Sequence, residues 1–306
     1  VKKALIEPEF TFTFIGFEWL QPLPGLGMYV YYSVMGVFGL MIMVGYRYKL
    51  STFCFTLMWT AVYLMQKSFY NNHYYFLILL SAIMFFLPAH RAYSLDARRK
   101  PAIRSDQMPA WCKWIIVLQV WIVYTYASVA KMYPDWLDGT VVAEFMSRRA
   151  DYPLIGGFLQ FNWVHFAIIY FGIFFDLLIV PLFLIKRSRM FALGLSLFFH
   201  LFNSIVFQVG IFPYLSLAFS LFFFEPETIR RIFLKSKKLY ADKEIIIPQK
   251  SDFIKILFIS YLSLQLLLPL RHWAIPGDVL WTEEGHRMSW RMMLRTKKGQ
   301  ITYKVV

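Results

Sequence analysis

Acidic residues are scarce in this chain: 18 Asp and Glu stand against 32 Lys and Arg in 306 residues, a formal charge of +14. There are two cysteines, Cys54 and Cys112, both in or beside apolar segments. That number argues against a disulfide-built scaffold and against a cysteine-based zinc or iron–sulfur site. The six histidines, at 73, 90, 165, 200, 272 and 286, form no HxxxH or HxH pair, so no metal is expected. P-loop, Rossmann, nucleophile-elbow and haem-attachment patterns are missing, as are internal repeats and low-complexity linkers. No signal-peptide pattern opens the chain, residue 1 is Val, and the last run is ITYKVV (301–306). The expectation is a segment of a longer protein.

What is abundant is apolar: 58% of residues are hydrophobic, 20% aromatic, and the mean hydropathy is +0.51. These residues come in long blocks, at 28–46, 51–66, 74–88, 111–132, 163–185, 190–207, 211–224 and 253–270. The pattern predicts an all-α integral membrane helical bundle of about eight spans. Several runs are shorter than the ~20 residues that cross a bilayer, which implies tilted or re-entrant helices or shifted boundaries. Gly210 and Pro213 predict a turn or break inside the 190–224 stretch.

The excess of positive charge follows the membrane rather than a nucleic acid. Alternate loops carry Arg47 and Lys49, then Arg91, Arg98, Arg99, Lys100 and Arg104, then Lys186, Arg187 and Arg189, then seven more from Arg230 to Lys250, seventeen in all. The opposite loops through residue 162 hold Lys2, Lys3, Lys67, Lys131, Arg148 and Arg149. The asymmetry places the first set in the cytoplasm. The non-cytoplasmic face then carries the loop at 66–74, the turn at 131–139 and the tail from Arg271. Residues 1–270 are expected to form the membrane domain. Residues 271–306 are expected to begin a non-cytoplasmic segment with a short β-hairpin, in which Lys298 and Gly299 make the turn between two strand-like runs.

Lys131 ends an apolar stretch and has two readings. It snorkels to the interface with Asp135 or Asp138 as counter-charge, or desolvation among Tyr124, Tyr126 and Tyr133 leaves it a neutral amine able to act as a base. Asn71, Asn72 and His73 form a dense polar insertion on the same face. They either satisfy helix-end backbone groups or orient a carboxylate and move a proton. His200 and Asn203, an i, i+3 pair, serve interhelical hydrogen bonding or face a cavity. Asp176, the one acid well inside a span, needs a donor or a proton, and His200 would serve.

Several separated motifs, in order, resemble vitamin K-dependent gamma-glutamyl carboxylase and its bacterial relatives with the horizontally transferred transmembrane (HTTM) domain. They are QKSFYNNHY (66–74), YSLD (93–96), VYTYASVAKMYPDW (123–136), FHLFNSIVFQVGIF (199–212) and SWRMM (289–293). The likeness runs from PLP (22–24) to ITY (301–303). It implies an enzyme that couples epoxidation of reduced vitamin K by O2 to carboxylation of peptide glutamate with CO2. Lys131 matches the family's base and His73 its carboxylation-linked histidine. Phe212, Met292 and Met293 match positions near the quinone, with ordinary apolar packing as their plain alternative. Asn72, His200, Asn203 and Trp290 are expected to shape the cavity. The implied partners are the lipid bilayer and a glutamate-containing peptide or protein, with no nucleic acid. The implied location is a bacterial inner membrane or the endoplasmic reticulum, with the site toward the non-cytoplasmic face.

The chain departs from the eukaryotic enzyme in lacking the cysteines of its disulfide, and Arg291 and His286 stand where that enzyme has an acid and a tyrosine. The quinone half of the reaction is therefore better supported by the resemblance than glutamate carboxylation. Two other classes stand beside it. One is a non-catalytic membrane module that binds quinone or lipid or helps export or mature a peptide, and the other is a proton-coupled transporter using Asp176.

Overall fold

The computed structural model describes residues 2–235, 251–292 and 302. A π-helical turn, Lys2–Ile6, precedes α1 (Gly27–Val44), α2 (Tyr48–Met65), α3 (Asn72–Phe86), α4 (Leu95–Arg99) and α5 (Trp111–Val129). There follow α6 (Pro134–Leu137), α7 (Thr140–Ser147), α8 (Asn162–Leu184), α9 (Arg189–Ile205), α10 (Phe212–Ser220), α11 (Pro226–Phe233), α12 (Ser251–Leu267) and α13 (Val279–Thr282).

All eight apolar runs are helical, but among the described residues four stretches are long and apolar enough to cross a membrane: Gly27–Val44, Trp111–Val129, Asn162–Leu184 and Asp252–Ala274. Of the about eight spans expected, length and composition support these four as candidates. The 15 residues of α3 reach about 22 Å at the helical rise, short of a hydrocarbon core of about 30 Å. Helix α9 has 17 residues and α10 has 9. Helix α2 has 18 residues but mixes Lys49, Ser51, Thr52, Thr56 and Thr60 into its apolar sequence.

The chain divides into two compact units, Val1–Leu118 with Pro226–Ser260, and Gln119–Glu225 with Tyr261–Val306. In the first unit, α1 ends on Gly45 in the left-handed region (φ 64°), where the N–H groups of Gly45 and Tyr46 bond back to Ile42 and Met41. A Cβ at Gly45 would meet that of Ser94 at 2.4 Å, so a side chain does not fit there. The YSLD motif clasps this turn. Asp96 accepts the N–H groups of Arg47 and Tyr48 at 2.8 Å each, closing the N-terminus of α2, and its own N–H bonds to the carbonyl of Gly45. Ser94 meanwhile caps α4 through the N–H of Ala97. Along α2, Thr52, Thr56 and Thr60 donate to carbonyls four residues back, at 2.7 Å each, which satisfies their hydroxyls without water.

The second unit packs α8 against α7 and α9, and α9 against α10. One stripe of α8 is buried, through Val164, Ile169, Gly172, Ile173, Asp176, Ile179, Val180 and Phe183. This is the helical repeat that a core-facing side requires. The hydroxyl of Ser128 in α5 donates to the carbonyl of Ile173 at 2.9 Å. Below it, Trp136, Val142, Met146, Leu159 and Ile169 form an apolar core. The expected break between α9 and α10 is present: Gln208 takes φ 53°, and α10 starts with Pro213 in its first turn.

The tail differs from the expected hairpin, and no strand occurs among the described residues. Asp278 accepts the N–H of Leu280 and starts the helical turn α13. Glu283 and Gly285 then take positive φ and turn the chain back. A Cβ on Gly285 would meet Cα of His272 at 2.8 Å. The expected turn at Lys298 and Gly299 lies outside the described residues.

Candidate functional site

Lys131 follows directly on α5, its N–H bonded to the carbonyl of Ser128. Tyr124, Ser128 and Lys131 are spaced i, i+4, i+7, which sets them on one side of the helix and its exit. That side faces the buried stripe of α8, where Nζ of Lys131 pairs with Oδ2 of Asp176. The two side chains are 12% and 5% exposed, so the contact is made away from solvent. Lys131 therefore does not snorkel outward, and the expected donor for Asp176, His200, is corrected to Lys131.

His200 has a different partner. Its Nε2 lies 2.8 Å from the hydroxyl of Tyr124, and the same hydroxyl is hydrogen-bonded to Ser216 of α10. His200 and Tyr124 are both buried. Around them stands an aromatic wall. Phe175 stacks on Phe199 with centroids 3.9 Å apart and presents its edge to His200 and Tyr124. Phe212 closes on His200 at 6.1 Å, ring against edge. The group is thus one amine, one carboxyl, one imidazole and one phenol in an apolar aromatic enclosure.

On the other side of Phe199 and Phe171 lies a cavity of about 370 Å³, lined by Phe158, Trp163, Phe198, Phe202 and Phe207 among others, with Asn203 its one amide. This volume is in the range of small-ligand pockets. Asn203 lines this cavity. Trp290 is 1% exposed, with φ 58°, and Met292 is half-buried in the tail. Met293 lies outside the described residues.

His73 and Asn72 belong to the first unit. Asn71 caps α3 by accepting the N–H of His73 at 2.7 Å, which is the backbone role considered for this cluster. Asn72 is buried and accepts the hydroxyl of Tyr70 at 2.6 Å. Among the described residues, no three His, Cys, Asp or Glu side chains gather as metal ligands.

Sequence reasoning missed three members: Tyr124 as partner of His200, Ser216 behind it, and Asp176 as partner of Lys131. The signal for Asp176 was present in its place on an otherwise apolar stripe, where an acid must be paired.

The family model of the HTTM domain matches residues 1–227, and that of the vitamin K-dependent gamma-carboxylase lumenal domain matches residues 250–306. No solved structure matches the chain. With both matches in order along the chain, the protein belongs to the vitamin K-dependent gamma-carboxylase family.

Proposed function

We propose that this protein is a membrane enzyme of the gamma-glutamyl carboxylase type, with Lys131 as its base. The observation that carries this reading is the burial of the Lys131 amine against Asp176, beside the Tyr124–His200 pair and the Phe175, Phe199 and Phe212 rings. The chemistry of these groups suits a reduced naphthoquinone, which is flat, aromatic and carries two hydroxyl groups. When bound, reduced vitamin K supplies, with O2, a base strong enough to remove the γ-proton of a glutamate, which CO2 then converts to a second carboxyl.

The chain's own part begins at Nζ of Lys131, which takes a proton from the acidic hydroxyl of the quinol. The aromatic wall keeps water away, as base generation of this strength requires. Tyr124 and His200 hold polar atoms ready inside that wall. Phe212 and Met292 are assigned to the ring and Trp290 to the space around it, whereas Asn203 lines the separate cavity. His73, with Asn72, assists carboxylation or proton delivery. In this reading residues 1–270 are the membrane domain and residues 271–306 open the part that meets the peptide. The site faces the non-cytoplasmic side of a bacterial inner membrane or the endoplasmic reticulum.

The test is purified protein in nanodiscs with reduced vitamin K, labelled bicarbonate and a glutamate-rich peptide. Epoxide and fixed label are measured separately, for wild type and Lys131→Ala. Both products in the wild type and neither in the variant is the expected result. Wild-type protein that makes neither product overturns the reading.

A second reading is favoured by the cavity at Phe171 and Phe199, whose lining is apolar except for Asn203. It suits a module that holds quinone or lipid without chemistry, or that helps export or mature a peptide. That reading predicts that Lys131→Arg is tolerated, because Arg keeps a charge and cannot supply a neutral amine.

A further inference from the structure

The apolar helix α1 ends at Val44, so residues 45–47, which follow it directly, lie where a span meets water. The YSLD clasp fixes α4 against this turn. Asp96 accepts the N–H of Arg47 on Oδ1 and that of Tyr48 on Oδ2, so both its oxygens are taken up by backbone. The N-terminus of α2 is thereby filled, and the one acid of α4 is withdrawn from its basic neighbours.

Those neighbours are held in place by an aromatic ring. The guanidinium carbons of Arg99 and Arg47 lie 5.1 and 5.9 Å from the centroid of Tyr46. Contact with a ring face orients a guanidinium and leaves its in-plane N–H donors for another acceptor. Arg47, Arg98, Arg99 and Lys100 are all exposed. Among the described residues, none of the four is ion-paired with an acid. Two further cations are tied to backbone: Lys49 donates to the carbonyls of Phe85 and Leu87 at the end of α3, and Arg104 to that of Ala97. Met43, Val44, Leu50 and Leu95, which adjoin the cluster in sequence, are exposed apolar residues. Cations bordered by exposed apolar side chains match the depth at which lipid phosphate meets acyl chain.

We propose that residues 45–47 and α4 form a binding site for the headgroup of an anionic phospholipid. Arg47 and Arg99 take the phosphodiester, since a guanidinium fork matches two phosphate oxygens at once. Arg98 and Lys100 add positive charge around it. A zwitterionic lipid offers the same phosphate but brings an ammonium group, which this cluster repels, so the site selects lipids of net negative charge. The adjoining span keeps the cluster at the bilayer surface, which favours a lipid phosphate over a soluble anion.

The test uses the purified chain, stripped of lipid in neutral detergent and titrated with phosphatidylglycerol or phosphatidylcholine, with bound lipid counted by native mass spectrometry. The wild type is expected to bind one phosphatidylglycerol on the order of 10-fold more tightly than phosphatidylcholine. Each basic residue near an anionic surface is worth about fivefold in association. Arg47→Gln with Arg99→Gln should therefore lose most of that preference. Tyr46→Leu keeps every charge and removes only the ring, and it should weaken the preference several-fold. Arg230→Gln with Arg231→Gln removes two charges from α11 and should leave it unchanged. Unfolding transitions establish that each variant is folded, and if the arginine pair variant is not, the Tyr46→Leu result decides. Equal binding of the two lipids by the wild type overturns the site. An unchanged preference in Tyr46→Leu, or equal losses in the two arginine pairs, reduces the effect to bulk charge and also overturns it. Inorganic phosphate that displaces the lipid at equal concentration identifies a soluble-anion site and overturns the lipid assignment.

Discussion

Nζ of Lys131, at the exit of α5, is paired with Oδ2 of Asp176 in the middle of α8, with Asp176 buried and the Lys131 side chain 12% exposed. Removing one partner strands the other in an apolar enclosure. Lys131→Met is therefore expected to lower stability by about 1–3 kcal/mol, the cost of a buried polar group without its partner. Lys131→Met combined with Asp176→Leu should recover much of that loss, since replacing both partners by apolar groups is often neutral. Thermal unfolding in detergent, run as a double-mutant cycle, checks this.

The hydroxyl of Tyr124 serves both His200 and Ser216. Tyr124→Phe keeps the ring against Phe175 and deletes those bonds, leaving a buried imidazole nitrogen unsatisfied. The expected loss is about 1–3 kcal/mol, with quinol turnover reduced because His200 is no longer held. Unfolding and epoxidation measured on the same preparation test it. Unchanged values in both would contradict the assigned role.

Asp96 closes the first turn of α2 with two hydrogen bonds. Asp96→Ala should cost about 1–2 kcal/mol, in the range of a lost helix cap. Hydrogen exchange should speed at the amides of Arg47 and Tyr48 before the rest of α2.

Asp138, exposed in the turn before α7, accepts the N–H of Thr140 at 2.8 Å, and that bond holds its carboxyl below the ordinary 3.8. A lowered folded value means the contribution is complete above pH 3.8 and is lost as pH falls through the folded value. Acidification below that point should loosen the start of α7, seen as faster exchange at Thr140. In Asp138→Ala that pH dependence should vanish.

Much of this was legible in the sequence, and the reasons differ from residue to residue. The eight apolar runs announce helices because burial and backbone satisfaction demand them, and Gly210 with Pro213 announces the break before α10. Span count was less legible, because hydropathy alone does not tell a 15-residue apolar helix from a longer one whose ends have been misplaced. The tail hairpin is not supported, since no strand occurs among the described residues and its expected turn at Lys298 and Gly299 lies outside them. Within the site, Lys131 and His200 stood out as polar residues in apolar surroundings. Which residue each would meet did not, since the pairing of α5 with α8 and α9 is a matter of packing. Asp176 took Lys131, and Tyr124, one apolar-looking aromatic among many, took His200.

The central claim is that Lys131 is the base of a quinol-dependent reaction. The most direct measurement is epoxide formation from reduced vitamin K by purified wild type, Lys131→Ala and Lys131→Arg, each shown to be folded by its unfolding transition. The account predicts turnover in the wild type and losses on the order of 10²- to 10⁴-fold in both variants, the range for removing a general base. Wild-type turnover that persists undiminished in Lys131→Ala contradicts it.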